Sequence, residues 1–135
     1  MNMKTITVIL EKGKDGYGVS FEDIPNVYGF GKTVEDAKKD AKDVLDFFVN
    51  TSKEFNKSVP EVLTGNYELD FRFDISTILD YVSGTITQSA LAKATGINVA
   101  QISHYATRRT KPRESQRKKI INGLHQIAKE LLSVS

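Results

Sequence analysis

Two hydrophobic periods run along this chain, and the change from one to the other divides it. Over residues 5–10 (TITVIL), 17–22 (YGVSFE) and 67–73 (YELDFRF) apolar and polar positions alternate. A period of two predicts strands with one apolar face. In the last of them Tyr67, Leu69, Phe71 and Phe73 stand against Glu68, Asp70 and Arg72. A further strand is predicted near residues 27–31, and Gly13 with Asp15-Gly16 leaves so short a connection between the first two that they form an antiparallel hairpin. From Thr33 the period lengthens: Thr33-Val34-Glu35-Asp36 resembles a capping box, followed by Val34, Ala37, Ala41, Val44, Leu45, Phe48 and Val49 at helical spacing. The fold class that follows is α+β. Residues 1–73 form a small antiparallel sheet whose apolar face is covered by one helix.

From residue 74 onward every apolar pattern is helical. Residues 74–83 (DISTILDYVS) place Ile75, Ile78, Leu79 and Val82 on one side. Thr87 caps a second helix that turns Leu91 and Ala92 inward, Gly96 supplies a tight turn, and Ile97, Ile102 and Tyr105 return to the core. The last helix, 114–132, carries Ile120, Ile121, Leu124, Ile127, Ala128, Leu131 and Leu132 as one stripe. Gly123 interrupts it at a cost of about 1 kcal/mol relative to alanine. The spacing predicts an all-α domain over 74–135 built on a helix-turn-helix. Residues 52–65, with Pro60 and Gly65, read either as helix tail and loop or as part of a partner site.

Charge sharpens this division. The overall net charge is only +2, but residues 1–73 hold 10 Lys+Arg against 13 Asp+Glu, whereas residues 74–135 hold 9 against 4. Arg108, Arg109, Lys111, Arg113, Arg117, Lys118 and Lys119 crowd into a dozen residues opposed only by Glu114. An acidic half joined to a basic half implies two kinds of partner, one of them a polyanion. With no cysteine there is no disulfide, thiolate metal site or cysteine nucleophile. No apolar run approaches the roughly 18 residues a membrane span needs, and MNMKTITVILEKGK has too short an apolar stretch for a secretory leader, so a cytoplasmic protein is expected.

Candidate chemistry in the acidic half is thin. Gly31-Lys32-Thr33 looks like the end of a phosphate-binding loop, but Asn26 stands where that motif needs a glycine. Glu22, Asp23, Glu35, Asp36, Asp40 and Asp43 are read as a solvated face rather than a magnesium site. His104 and His125 are the only histidines, and Ser89 and Ser103 have no base at a recognisable spacing. No catalytic residue, cofactor or metal is assigned, and an enzyme is not expected.

The basic half is more informative. A bundle used only for packing leaves the polar outer face of residues 98–104 beside seven cations unexplained, so duplex DNA is the expected partner. Asn98, Val99, Ala100, Gln101, Ser103 and His104 lie on or beside the groove-facing side. Gln101 suits adenine, Asn98 adenine or phosphate, and Val99 or Ala100 a thymine methyl. Arg108, Arg109, Lys111 and Arg113 would neutralise backbone phosphates.

Two family resemblances give this outline a function. The run DGYGVSFEDIPNVYGFGKTVEDAKKDAKDVLDFFV, residues 15–49, resembles the N-terminal domain of HicB antitoxins in its Asp-Gly-Tyr hairpin, its turn at Asp23-Ile24-Pro25 and its helix start at Gly31 to Ala37. The run Asn26-Val27-Tyr28-Gly29-Phe30 departs from the polar or Cys-Phe/Val-Thr-like stretch usual there. The resemblance implies a truncated RNase H-like layer without catalytic carboxylates, which binds a small basic HicA-like, RNA-cleaving toxin. From Gln88 onward, Leu91, Ala92, Gly96, Ile97, Ile102 and Tyr105 are similar to the Cro/repressor type of helix-turn-helix, with Arg108-Arg109-x-Lys111-Pro112 as its exit. That likeness implies a Gln88 contact to phosphate. The expectation is an antitoxin-like transcriptional repressor, a homodimer or a tetramer of paired dimers, on a palindromic operator. A stand-alone regulator whose N-terminal domain dimerises or senses a ligand stays open beside it.

Overall fold

The computed structural model describes residues 3–135. Met1 and Asn2, at the head of the run read above for a leader, lie outside the described residues. The chain divides into two compact units, the first ending at Asp74 and the second running Ile75–Ser135.

The first unit is a four-stranded sheet with one long helix: β1 (Lys4–Lys12), β2 (Tyr17–Phe21), β3 (Ile24–Gly31), α1 (Val34–Glu54), a single 3-10 turn at Glu61–Leu63, and β4 (Tyr67–Phe73). Strand order is β3-β2-β1-β4. β1 pairs antiparallel with β2, and β2 with β3, through tight connections. β4, however, pairs parallel with β1, Lys4 opposite Tyr67 through Leu10 opposite Phe73. The sheet is therefore mixed, not antiparallel as expected. The cause is the connection: a 21-residue helix and the loop after it carry the chain from the β3 edge back to the free edge of β1, the long crossover that parallel pairing requires.

Side-chain size fixes how closely α1 approaches. Thr33 caps it, its Oγ1 accepting the Asp36 N–H at 3.1 Å. Ala37, Ala41 and Leu45 then meet Ile6, Val8, Leu10, Val19, Phe21 and Val27 in one core. A Cβ placed on Gly31 would run into the backbone of Ala37, so the glycine that opened the phosphate-loop lookalike serves close helix packing. Asp40 likewise has structural work: its carboxylate accepts the Phe30 N–H at 2.8 Å on edge strand β3. Residues 52–65 finish the fold. The helix ends at Glu54, the 3-10 turn buries Leu63, and Lys4 Nζ donates to the carbonyls of Glu61 at 2.7 Å and Thr64 at 2.9 Å.

The second unit holds α2 (Ile75–Val82), α3 (Gln88–Thr95), α4 (Val99–Ala106) and α5 (Glu114–Leu132) around Ile75, Leu79, Leu91, Ile97, Ile102, Tyr105 and Ile120. Gly96 closes α3 in the left-handed region, φ 78°, its N–H donating to Ala92 O at 2.8 Å. Thr95 straps the same turn: its hydroxyl donates to Leu91 O at 2.8 Å and accepts the Ile97 N–H at 3.1 Å. α5 crosses here. A Cβ on Gly123 would lie 2.5 Å from Thr95 Cγ2, so this glycine is set by a helix crossing. The α5 stripe leaves the core sooner than the sequence suggests: Ile121, Leu124 and Ile127 are half-buried, whereas Ala128 is exposed and Leu131 and Leu132 are 65% and 86% exposed. α3, the helix it crosses, has only eight residues and leaves its last turn uncovered.

Candidate nucleic-acid interface

The side chains expected to contact DNA fall into three groups. The first is the exposed surface of α4. With Ile102 and Tyr105 buried, helical geometry turns Val99, Ala100, Ser103 and His104 outward. Val99 and Ala100 are exposed, and Ser103 and His104 are half-buried. Arg109 reaches this surface, its guanidinium 3.3 Å from His104 Nε2. Thr107, one turn beyond Ser103, extends the same face and was not among the expected residues; its spacing from Ser103 was the available signal.

The second group surrounds an open depression between the α3–α4 turn and the start of α5. Asn98, Gln101, Lys111 and Arg113 line it, together with Gln116 and Lys119. Three cations therefore share one concavity with amide side chains, and no carboxylate lines it. Arg113 is the N-cap of α5 and makes no side-chain cap bond, so the first N–H groups of that helix lie beside the same space. Such a surface suits a phosphate oxygen better than a neutral ligand. Gln116 and Lys119 were missed, although their spacing of three on a helix beginning at Glu114 places them side by side.

The third group overlaps the second: Asn98, Gln101 and Arg108 are engaged by other residues of this unit. Asn98 is the N-cap of α4, and its Oδ1 accepts the Ala100 N–H at 2.8 Å. A bidentate pairing with adenine needs both ends of the amide, so the cap leaves Asn98 suited to donating, as to a phosphate. Gln101 Nε2 lies 3.4 Å from Thr110 Oγ1. Arg108 has φ 61° and donates from its guanidinium to Thr77 Oγ1 at 3.3 Å, which folds it toward α2 and away from the α4 surface. Gln88 is exposed in the first turn of α3, where Thr87 Oγ1 accepts the Ala90 N–H at 3.0 Å.

The first unit offers different chemistry. Among the described residues no three His, Cys, Asp or Glu side chains converge as a metal site, and no helix is long and apolar enough to cross a membrane. Residues 5–64 match the family model of the HicB_like antitoxin of the bacterial toxin-antitoxin system. Over that span, β1 through the 3-10 turn, the chain is similar to HicB-like antitoxins. β4 and the whole second unit lie beyond the matched residues. No curated protein matches the chain.

Proposed function

We propose that this chain is an antitoxin-like transcriptional repressor, cytoplasmic and without enzymatic activity, that binds operator DNA through its second unit and a small basic HicA-like toxin through its first. The observation that carries the DNA half is the depression lined by Lys111, Arg113 and Lys119 beside the exposed surface of α4. On this reading α3 and α4 are a helix-turn-helix of the Cro/repressor type. Val99, Ala100, Ser103 and His104 face the major groove, with Gln101 at its rim. Arg109 and the depression take flanking phosphates. The exposed Leu131 and Leu132 at the end of α5 suit pairing with a second copy, which would present two recognition helices to half-sites roughly 34 Å apart. The family match supports the toxin half, with the first unit as a truncated RNase H-like layer, and the acidic balance of residues 1–73 suits a cationic partner.

The test is fluorescence anisotropy with a duplex from upstream of this protein's own gene and a scrambled control, using wild type and Arg109→Ala/Lys111→Ala. A preference of at least about 1,000-fold for the native duplex is expected, with the two-cation variant weaker on both duplexes and its salt slope lower by about 2. Equal weak binding to both duplexes at every salt concentration would reduce the second unit to a charged bundle. The toxin half is tested by copurification with the short basic protein encoded by the adjoining gene; the absence of such a gene removes that half and leaves DNA binding standing.

A further inference from the structure

Among the described residues of the first unit, α1 covers one face of the sheet. α1 packs over the face carrying Ile6, Val8, Leu10, Val19 and Val27, and the alternate positions point the other way. On that second face Ile9 lies in register with Ser20 and Arg72, Thr7 with Asp70, Thr5 with Glu68, and Gly18 with both Glu11 and Phe30.

Asn26 decides what this face displays. It sits in the left-handed region, φ 65°, where the β2–β3 register shifts, so Ile24 and Val27, three positions apart, are both buried. Past this bulge the phase is inverted. Gly29 and Gly31 face α1, where a Cβ would meet Asp40 Oδ2 at 2.8 Å and the Ala37 backbone respectively. Tyr28 and Phe30 face outward and are 68% and 50% exposed. An unbulged strand would turn both rings toward α1 and both glycines to water. Two aromatic rings about 7 Å apart on one strand are thus held outward by a backbone feature that the close approach of α1 also requires.

We propose that this open face, centred on Tyr28, Phe30 and Ile9 and rimmed by Glu11, Glu68 and Asp70, is where a small cationic protein docks. The partner's role rests on the antitoxin reading above; the surface is argued from geometry and charge. Exposed aromatic residues supply the apolar centre that protein interfaces favour. These three carboxylates outnumber Arg72, the cation in register with Ile9, whose Nε donates to Asp70 Oδ2 at 3.1 Å, so the rim attracts lysine and arginine and repels nucleic acid. The partner sits on the face instead of extending the sheet at β3, because the Phe30 N–H is already held by Asp40. Phe47 on α1 is 72% exposed, but Asp43, Asp46 and Asn50 are its neighbours on the helix surface; single apolar residues of that kind need no partner.

The experiment is a calorimetric titration of the full chain with the purified short basic protein encoded by the adjoining gene. The variants are Tyr28→Ser/Phe30→Ser, Ile9→Lys and Phe47→Ser. The first two are expected to weaken binding at least about thirty-fold and Phe47→Ser less than about three-fold, with thermal melting and binding to the upstream duplex unchanged. Ile9→Lys keeps both rings and the bulge, so the test survives a folding defect in the double variant. Wild-type affinity in both sheet variants, or a loss confined to Phe47→Ser, overturns the docking face while leaving the antitoxin reading intact. Failure of the wild type itself to bind ends both.

Discussion

The two units solve the same problem, one apolar core each, with elements of very different intrinsic strength. In the first, strands of nine and eight residues belong to a sheet of paired backbone ladders, and a helix of 21 packs over it. In the second, three of the four helices have eight residues each, below the length at which a helix holds together alone in water. The first unit is therefore most vulnerable where backbones nearly touch, at Gly31. The second depends on caps and on the crossing of Thr95 with Gly123. Their outer surfaces differ as sharply, rings and carboxylates on the sheet against amides and cations around α4, the contrast on which the proposal of two unlike partners rests.

The largest effect that tests this contrast is expected from Gly31→Val. Its side chain has to displace the Ala37 backbone, so the first unit should lose about 3 kcal/mol or more. Urea denaturation followed by tyrosine fluorescence and circular dichroism should become biphasic, with the helical second unit unfolding at its original midpoint. A single, uniformly shifted transition would mean the units stabilise one another. Gly123→Ala should act on the second unit alone. The gain in helix propensity, about 1 kcal/mol, is opposed by a Cβ 2.5 Å from Thr95 Cγ2, and a net loss of about 1 to 2 kcal/mol is expected. Thr95→Ser removes that methyl and keeps the hydroxyl strap, so adding it to Gly123→Ala should recover most of the loss. Additive losses would show that the contact is not the cause.

What the sequence disclosed follows the same contrast. Alternation over TITVIL and YELDFRF and the helical stripe from Val34 located the strands and α1, because one-sided burial writes its period into the chain. Direction of pairing is not written there: Leu69 and Phe71 face the helix whether β4 runs parallel or antiparallel to β1, so the mixed sheet was illegible. The phase reversal at Asn26 escaped for a related reason, since a bulge leaves no periodic trace and a strand placed near residues 27–31 does not say which face Tyr28 and Phe30 take. Around α4, Gly96 and the apolar positions 97, 102 and 105 announced a turn between two helices. The competing uses of its polar residues were hidden. Nothing in the spacing shows that the Asn98 carbonyl is held by a cap or that Arg108 folds onto Thr77.

Asn98 separates stability from recognition in the second unit. Asn98→Ala should cost about 1 kcal/mol through loss of the cap to Ala100. Asn98→Asp keeps an oxygen acceptor at the helix N-terminus and places a negative charge beside the cationic depression. Unchanged thermal stability with affinity for the upstream duplex lowered about tenfold is expected for the aspartate. Equal loss of stability in both variants would mean that the amide Nδ2 has a structural partner.

The smallest effect bears most directly on whether the depression is a phosphate site. Lys118 and Lys119 are adjacent and both exposed, but only Lys119 lines the concavity with Lys111 and Arg113. Each phosphate neutralised releases condensed counterions, so log affinity falls against log salt by about 0.9 per contact. Lys119→Ala should therefore flatten that slope by about 1 and weaken binding only a few-fold at moderate salt, whereas Lys118→Ala should leave the slope where it was. Anisotropy titrations of both variants between about 50 and 200 mM salt decide this, because the two proteins have the same net charge and differ only in which position on α5 lost its cation. Equal slopes for the two would mean that the basic cluster acts as a diffuse field, and that the geometry beside α4 selects no particular phosphate.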